Sequence, residues 1–207
     1  VDSLKSMNVH TIIPDRIEAG TYLSFAAANG NGVLVKNVIT EHLYPFLSKL
    51  EEMGVRMEID EDEIYVPGGD VLSPVNIKTS PFPGFATDLQ QPITPLLMQA
   101  RGSSTIIDTL YPERTKHIPE MQRMGAKISS KDGIITVGHS TNLSGTVVEA
   151  GEIRAGVSLV GLALMAKGTT VINKADNILR GYDRIVEKFR GLSVDLEVIN
   201  ESESLNH

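Results

Sequence analysis

Two kinds of helical pattern alternate along the chain, and each kind occurs three times. The first kind is apolar on nearly every face, as in 158–166 (SLVGLALMA), and such a helix is predicted to be buried. The second kind carries apolar residues on one face only, as in 182–189 (YDRIVEKF), which predicts a helix with one side in water. Buried helices inside sheets, with other helices outside, predict an inside-out α/β domain.

Short β-branched segments surround each pair of helices and predict the strands. The predicted first strands are 9–13, 75–79 and 145–149, and the second strands are 33–35, 105–107 and 170–172. Closing hairpins are predicted in the first two units, at 55–59 with 63–66 and at 127–129 with 134–137. The third unit reaches 196–199 without a second hairpin strand, so we expect an unpaired edge near 194–199.

The spacing of three glycines shows that these units are repeats. Gly32, Gly102 and Gly168 follow the apolar helices at intervals of 70 and then 66 residues. Each complete unit has the order βαβαββ, and the last unit is incomplete. We predict one domain over 1–207 with repeats at about 7–67, 73–138 and 143–200 and a frayed tail at 201–207.

The same register aligns charged residues where loops meet helices. Fourteen residues before the glycines lie Glu18, Asp88 and Arg154, and twelve after them lie Tyr44, Arg114 and Arg180. Because equivalent junctions of a threefold repeat share one end of the domain, we predict that the three arginines converge with Asp88. Planar guanidinium groups suit carboxylates and phosphates, and a carboxylate among them can act as a general base.

The segment 81–92 (PFPGFATDLQQP) contains Asp88 and is rich in proline. Thr87 and Gln90 fit a capping box, which predicts that a helix starts here. Asp88 then occupies the first turn, where a carboxylate also stabilises the helix dipole, so a purely structural role is the alternative to catalysis. Prolines at 92 and 95 within the helix favour a specialised geometry.

Composition and charge exclude several classes of protein. The net charge of −7 over 207 residues argues against a nucleic-acid or anionic-membrane surface. The absence of cysteine excludes disulfides, thiolate nucleophiles and cysteine metal sites. The apolar run 157–166 is too short to span a bilayer, and no signal peptide opens the chain. We therefore expect a cytoplasmic domain without membrane insertion.

Four segments resemble the UDP-N-acetylglucosamine 1-carboxyvinyltransferase family, the enolpyruvyl transferases that open bacterial peptidoglycan synthesis. They are 14–23, 81–97, 108–128, and 154–172 together with 178–192. The resemblance covers nearly the whole chain and implies the C-terminal lobe of a two-lobe enzyme, each lobe being an inside-out α/β barrel of three repeats. It also implies a role in cell-wall biogenesis, and through it in cell shape and division.

The resemblance also implies a role for each candidate residue. Asp88 matches the carboxylate that contacts the sugar 3-hydroxyl and takes its proton, and Leu110 matches a position whose backbone contacts UDP-N-acetylglucosamine. Arg114, Arg154 and Arg180 match the arginines that face phosphoenolpyruvate. No metal or organic cofactor is implied.

The family's phosphate-contacting Lys-Asn pair near the full-length start, and its mobile loop with a reactive Cys or Asp, belong to segments that are absent here. The chain is thus expected to form half of a cleft with the N-terminal lobe as its partner, and to be inactive alone. Two alternatives stay open. One is the matching lobe of 5-enolpyruvylshikimate-3-phosphate synthase, whose third cation is usually Lys where this chain has Arg180. The other is a noncatalytic binding domain with the same fold.

Overall fold

The computed structural model describes residues 9–199 and contains two sets of helices. The buried set consists of α1 (Arg16–Asn29), α3 (Gln90–Leu97) and α5 (Ile153–Ala163). The outer set consists of α2 (Tyr44–Met53), α4 (His117–Arg123), the short α6 (Asp176–Leu179) and α7 (Ile185–Gly191). Turns of 3₁₀ helix precede α2 at Thr40–Leu43 and α3 at Thr87–Leu89.

Across residues 9–199 the strands form three sheets, one for each unit. The first contains β1 (Val33–Lys36), β2 (Glu58–Ile59) and β3 (Glu63–Val66) in the order β1-β3-β2. The second contains β4 (Asn76–Lys78), β5 (Ser103–Ile107), β6 (Ile128–Lys131) and β7 (Ile134–Gly138) in the order β4-β5-β7-β6. The third pairs β8 (Val147–Glu149) with β9 (Val171–Asn173). Because β4–β5 and β8–β9 are parallel, a buried helix crosses over within each pair.

The α3 helix lies between α1 and α5 and contacts both. All eight of its residues are buried, including Gln90 and Gln91. Burial of its large apolar side chains, Ile93, Leu96 and Leu97, stabilises the fold by roughly 1.5–3 kcal/mol for each residue. Helices packed inside and sheets with outer helices around them confirm the predicted inside-out α/β class.

The third unit packs back against the first and so brings the two ends of the described chain together. The hydroxyl groups of Thr21 and Tyr182 lie 3.0 Å apart in the interior. Phe25 and Phe189 belong to one buried cluster, and Lys188 forms an ion pair with Glu18 at 2.6 Å. The units therefore close a ring around the buried helices.

Glycines at equivalent places support the repeat register. Gly32, Gly102 and Gly168 have φ angles of 68°, 154° and 83°. Residues other than glycine rarely adopt such positive φ angles. Gly30 is the left-handed residue that ends α1, and its amide donates to the carbonyl of Ala26. The three units thus turn from the buried helix into the next strand by similar means.

Two predicted strands are wrong. Residues 9–13 form no strand, and Val9, Ile12 and Ile13 are exposed. Residues 194–199 also form no strand, although Val194 and Leu196 pack against the cluster around Phe189. β-branched composition is insufficient in both cases, because a strand forms only where a partner accepts its backbone hydrogen bonds. The expected self-association of that edge stays a prediction, and the tail at 201–207 lies outside the described residues.

The last predicted helix starts later than the pattern indicates. Residues 182–189 were expected to be helical, but α7 begins at Ile185 after a left-handed Arg184. Tyr182 therefore precedes the helix, and its side chain is 1% exposed. A buried tyrosine needs a partner for its hydroxyl group, and the contact with Thr21 takes precedence over helical spacing.

The close approach of Phe25 to α5 leaves no space for a side chain at Gly161, because an added methyl group would meet the Phe25 ring. Helix propensity favours Ala over Gly by roughly 1 kcal/mol, but overpacking costs roughly 1–3 kcal/mol. We therefore expect Gly161→Ala to lower the free energy of unfolding in denaturant titration. Gly191→Ala is the control, because no atom lies within 4 Å of the added methyl group. Equal stability of the two variants would contradict this packing.

Candidate active site

The carboxylate of Asp88 lies between two guanidinium groups. Its Oδ1 accepts a hydrogen bond from Nη1 of Arg114 at 2.6 Å, and its Oδ2 lies 3.4 Å from Nη2 of Arg154. The three side chains are 36%, 26% and 19% exposed, respectively. This half-buried position leaves the carboxylate reachable by a ligand, while both arginines keep a fixed contact with it.

Each arginine is also held by an aromatic ring. Arg154 is the second residue of α5, and its guanidinium carbon lies 5.4 Å from the centre of the Tyr182 ring. Arg114 lies in the loop from β5 to α4, and its guanidinium carbon lies 4.3 Å from the centre of the Tyr111 ring. Stacking on a ring restricts the planar group, so both arginines approach Asp88 from defined directions.

Arg180 lies at the same end of the molecule but does not reach Asp88. The neighbouring Gly181 packs against Ile153 at the start of α5, and Tyr182 lies under Arg154. The Arg180 side chain is exposed, and no hydrogen bond or ion pair joins it to another residue between 9 and 199. The structure brings Arg114 and Arg154 to Asp88, and the convergence of Arg180 with them stays a prediction.

The backbone of Leu110 is partly occupied by a contact within the chain. Its amide donates to Oδ1 of Asp108 at 3.0 Å, and its side chain is 38% exposed. The carbonyl group of Leu110 has no partner among the hydrogen bonds of the described residues. The carbonyl is therefore the backbone group of Leu110 that a ligand can contact.

The capping box predicted at Thr87 and Gln90 is wrong. The hydroxyl of Thr87 donates to Asp108 at 2.6 Å instead of capping α3. The side-chain amide of Gln90 is buried, and neither of its polar atoms has a partner among the described residues. Asp88 does occupy the first turn, as predicted, but in the 3₁₀ segment before α3. Side chains distant in sequence thus replace the local cap.

Asp108 is a component that sequence reasoning missed. Its side chain is buried and accepts four hydrogen bonds, from the hydroxyl groups of Thr79 and Thr87 and the amides of Leu110 and Tyr111. Burial by itself raises the pKa of Asp108, but these hydrogen bonds outweigh burial and leave the pKa below its usual value. A signal was present in the sequence, since Asp108 directly follows the predicted strand 105–107 and begins the loop of Arg114.

A second buried polar group lies beside the start of α5. The amide nitrogen of Gln91 donates to Glu152 at 2.9 Å and lies 3.3 Å from Nδ1 of His117. His117 is fully buried, and its Nε2 has no partner among the described residues. His117 is thus a packing residue of the interior. Glu152 directly precedes α5, so the group links α3, α4 and α5 close to Arg154.

The sequence of the chain also matches a known protein family. The sequence profile of the EPSP synthase (3-phosphoshikimate 1-carboxyvinyltransferase) family matches residues 2–189. The chain belongs to the EPSP synthase family. Within residues 9–199 no helix of this member has the length and apolar character to span a bilayer. The same residues bring together no cluster of three His, Asp or Glu side chains that would bind a metal ion.

Several members of the EPSP synthase family are close relatives. The chain is 56% identical over 203 residues to UDP-N-acetylglucosamine 1-carboxyvinyltransferase 2 of Lactiplantibacillus plantarum, covering 98% of this chain and 48% of that protein. It is 54% identical over 202 residues to UDP-N-acetylglucosamine 1-carboxyvinyltransferase of Lactobacillus johnsonii, covering 97% of this chain and 48% of the relative. The chain therefore spans about half the length of the curated relatives it matches.

Solved structures show the same fold. The enolpyruvyl transferase NikO from Streptomyces tendae superposes with a TM-score of 0.83 at 26% identity, over 90% of this chain and 44% of that chain. EPSP synthase from Acinetobacter baumannii superposes with a TM-score of 0.70 at 15% identity, over 92% of this chain and 45% of that chain. The second likeness shows the fold alone.

Burial of His117 gives this member of the EPSP synthase family a testable pH dependence. Burial lowers the pKa of His117 from 6.5 to about 4, so the unfolded chain binds the proton more readily. The free energy of unfolding should therefore fall as the pH is lowered from about 6.5 to about 4, by roughly 3 kcal/mol from this group. Denaturant titration of the wild type and His117→Gln across this window measures the difference. Parallel pH profiles of the two proteins would show that folding does not lower the pKa of His117.

Proposed function

We propose that this chain is one lobe of an enolpyruvyl transferase. In the proposed reaction, the enolpyruvyl group of phosphoenolpyruvate moves to the 3-hydroxyl of UDP-N-acetylglucosamine, and phosphate is released. The observation that carries the proposal is Asp88 held between Arg114 and Arg154 at the junctions of two repeats. A carboxylate beside two fixed cations offers a base for a hydroxyl group and donors for an anionic substrate in one place.

The choice of acceptor rests on the relatives. Proteins that are 50–56% identical to the chain carry the name UDP-N-acetylglucosamine 1-carboxyvinyltransferase. Because the chain covers about half of their length, a second lobe is proposed as the partner that completes the cleft. The cytoplasm is the proposed location, since central metabolism supplies phosphoenolpyruvate there.

The chemistry assigns a distinct task to each residue. Asp88 accepts the proton of the sugar hydroxyl while that oxygen bonds to C2 of phosphoenolpyruvate and a general acid of the proposed second lobe protonates C3. The bond from C2 to the phosphate oxygen then breaks as C3 returns a proton to that group, which restores the double bond and releases phosphate. Arg114 and Arg154 bind the anionic groups of phosphoenolpyruvate, and the buried Nη1 of Arg154 has no partner among the described residues. The carbonyl of Leu110 contacts UDP-N-acetylglucosamine.

Arg180 is proposed to reach the same anion from the adjacent turn. Its side chain is exposed and lies two residues from Tyr182, which contacts Arg154. An exposed side chain can change rotamer, which suits a guanidinium group that contacts the substrate only after the substrate binds. Its role is therefore in binding phosphoenolpyruvate and not in holding Asp88.

We expect Asp88→Asn in the complete two-lobe enzyme to lower turnover by about 100-fold or more, the usual loss when a general base is removed. Asparagine keeps the size of the side chain but cannot take the hydroxyl proton. Phosphate release with both substrates measures turnover. Asp70→Asn is the matched control, because Asp70 pairs with Nε of Arg56 at 2.5 Å outside the site.

Three outcomes of that assay distinguish the candidate functions. Loss of turnover in Asp88→Asn but not in Asp70→Asn supports the proposal. Wild-type turnover with shikimate 3-phosphate in place of the nucleotide sugar would instead assign the chain to the shikimate-pathway synthase. A complete protein that binds either acceptor without releasing phosphate would be a noncatalytic binding domain.

Arg180→Lys should mainly weaken the use of phosphoenolpyruvate, because an ammonium group cannot reproduce the two parallel bonds of a guanidinium. We expect the KM for phosphoenolpyruvate to rise by about tenfold, the value of one charge-assisted hydrogen bond. The KM for the nucleotide sugar should stay within about twofold under the same principle. Initial rates at varied concentrations of each substrate give both constants. A larger change for the sugar would remove Arg180 from the proposed anion site.

A further inference from the structure

Asp108 is a buried carboxylate that takes no part in the proposed chemistry, yet it contacts the segments that carry Asp88 and Arg114. It is 4% exposed and directly follows the β5 strand. Its Oδ2 accepts from Thr87, the residue before Asp88. Its Oδ1 accepts from Thr79 at 2.7 Å and from the amides of Leu110 and Tyr111, both at 3.0 Å. A buried charge with this many donors is fixed in direction.

The hydroxyl of Thr87 connects Asp108 with Arg114. A carboxylate can only accept a hydrogen bond, so the single proton of Thr87 Oγ1 points at Asp108 across 2.6 Å. The lone pairs of Oγ1 therefore face the other way, where Nη1 of Arg114 lies at 3.3 Å. The same Nη1 donates to Oδ1 of Asp88 at 2.6 Å. The chain of contacts runs from Asp108 through Thr87 and Arg114 to Asp88.

The backbone supplies a second connection between Asp108 and the site. The two amides that donate to Asp108 belong to the first turn of the loop that carries Arg114. An aspartate that accepts from the amides two and three positions ahead closes that turn. Arg114 is thus fixed from both sides, by the turn on which it stands and by the hydroxyl that accepts from its guanidinium group.

We propose that Asp108 is a positioning residue, which sets the direction of the Thr87 hydroxyl and the 108–111 turn so that Arg114 holds Asp88. This inference rests on the proposed function, because it names the residue that prepares the same site. Asp108 itself touches no reacting atom. The effect of removing it should therefore travel through Arg114.

Variants of Thr87 test the connection with little change of shape. Thr87→Val keeps the size of the side chain and removes the hydroxyl, and Thr87→Ser keeps the hydroxyl. In the complete enzyme we expect Thr87→Val to lower kcat/KM by about tenfold and Thr87→Ser by less than about threefold, as for loss or retention of one charge-assisted hydrogen bond. Asp108→Asn should resemble Thr87→Val, because its amide nitrogen cannot accept from the donors that face it.

Ser104→Ala is the matched control for stability. Its hydroxyl accepts a buried hydrogen bond from the amide of Val75 at 3.1 Å, on the strand that leads to Asp108. This variant should unfold at a denaturant concentration as low as Thr87→Val does but keep wild-type kcat/KM. Equal kcat/KM losses in Ser104→Ala and Thr87→Val would overturn the proposal, because the loss would then follow stability alone.

A double-mutant cycle separates positioning from a general loss of structure. In an Arg114→Lys background, Thr87→Val should lower kcat/KM by less than about a further twofold, because Arg114→Lys already breaks the contact through which Thr87 acts. A full additional tenfold loss would overturn the proposal. If the wild type releases no phosphate, the proposed function fails instead. In that case a crystal structure of Thr87→Val tests the positioning role. The contact between Arg114 and Asp88 should be lost in this variant, and its retention would refute the proposal.

Discussion

Burial of three apolar helices against one another is the constraint on which the rest of the structure depends. The α3 helix has no exposed face, because α1 and α5 pack on it and the sheets enclose all three. A helix in this position can present polar groups only at its ends. Chemistry is therefore confined to the places where the chain enters and leaves the buried helices, and Asp88 and Arg154 stand at two such places.

The threefold repeat then determines which residues meet. Equivalent junctions of consecutive units lie side by side, so a carboxylate from the second unit reaches an arginine from the third. Arg114 comes from a different loop of the second unit and completes the pair. Behind these residues, Asp108 accepts hydrogen bonds from Thr79 and Thr87, and Gln91 donates to Glu152 beside His117. Precision at the surface thus derives from polar contacts in the interior.

Much of this arrangement could be predicted from the sequence because it repeats. The helix patterns gave the buried and outer helices, and counting between glycines aligned Asp88 with Arg154 and Arg114 with Arg180. Spacing places a backbone and not a side chain, so it did not indicate that Arg114 and Arg154 contact Asp88 while Arg180 does not. The role of Asp108 was not predicted because the residue occurs in one unit only, so alignment of the repeats does not single it out. Residues 9–13 and 194–199 failed as strands for a related reason: pairing depends on neighbours that local composition does not specify.

The contact between Thr21 and Tyr182 also bears on how the chain acquires its fold. The two residues are 161 positions apart, and contacts of such long separation slow folding because a large loop must close before they form. During synthesis, the first unit leaves the ribosome long before the segment that covers its buried helix exists. Until that segment arrives, one side of α1 stays open to water or to a chaperone. The ring of units is therefore closed by the third unit, which is translated after the first.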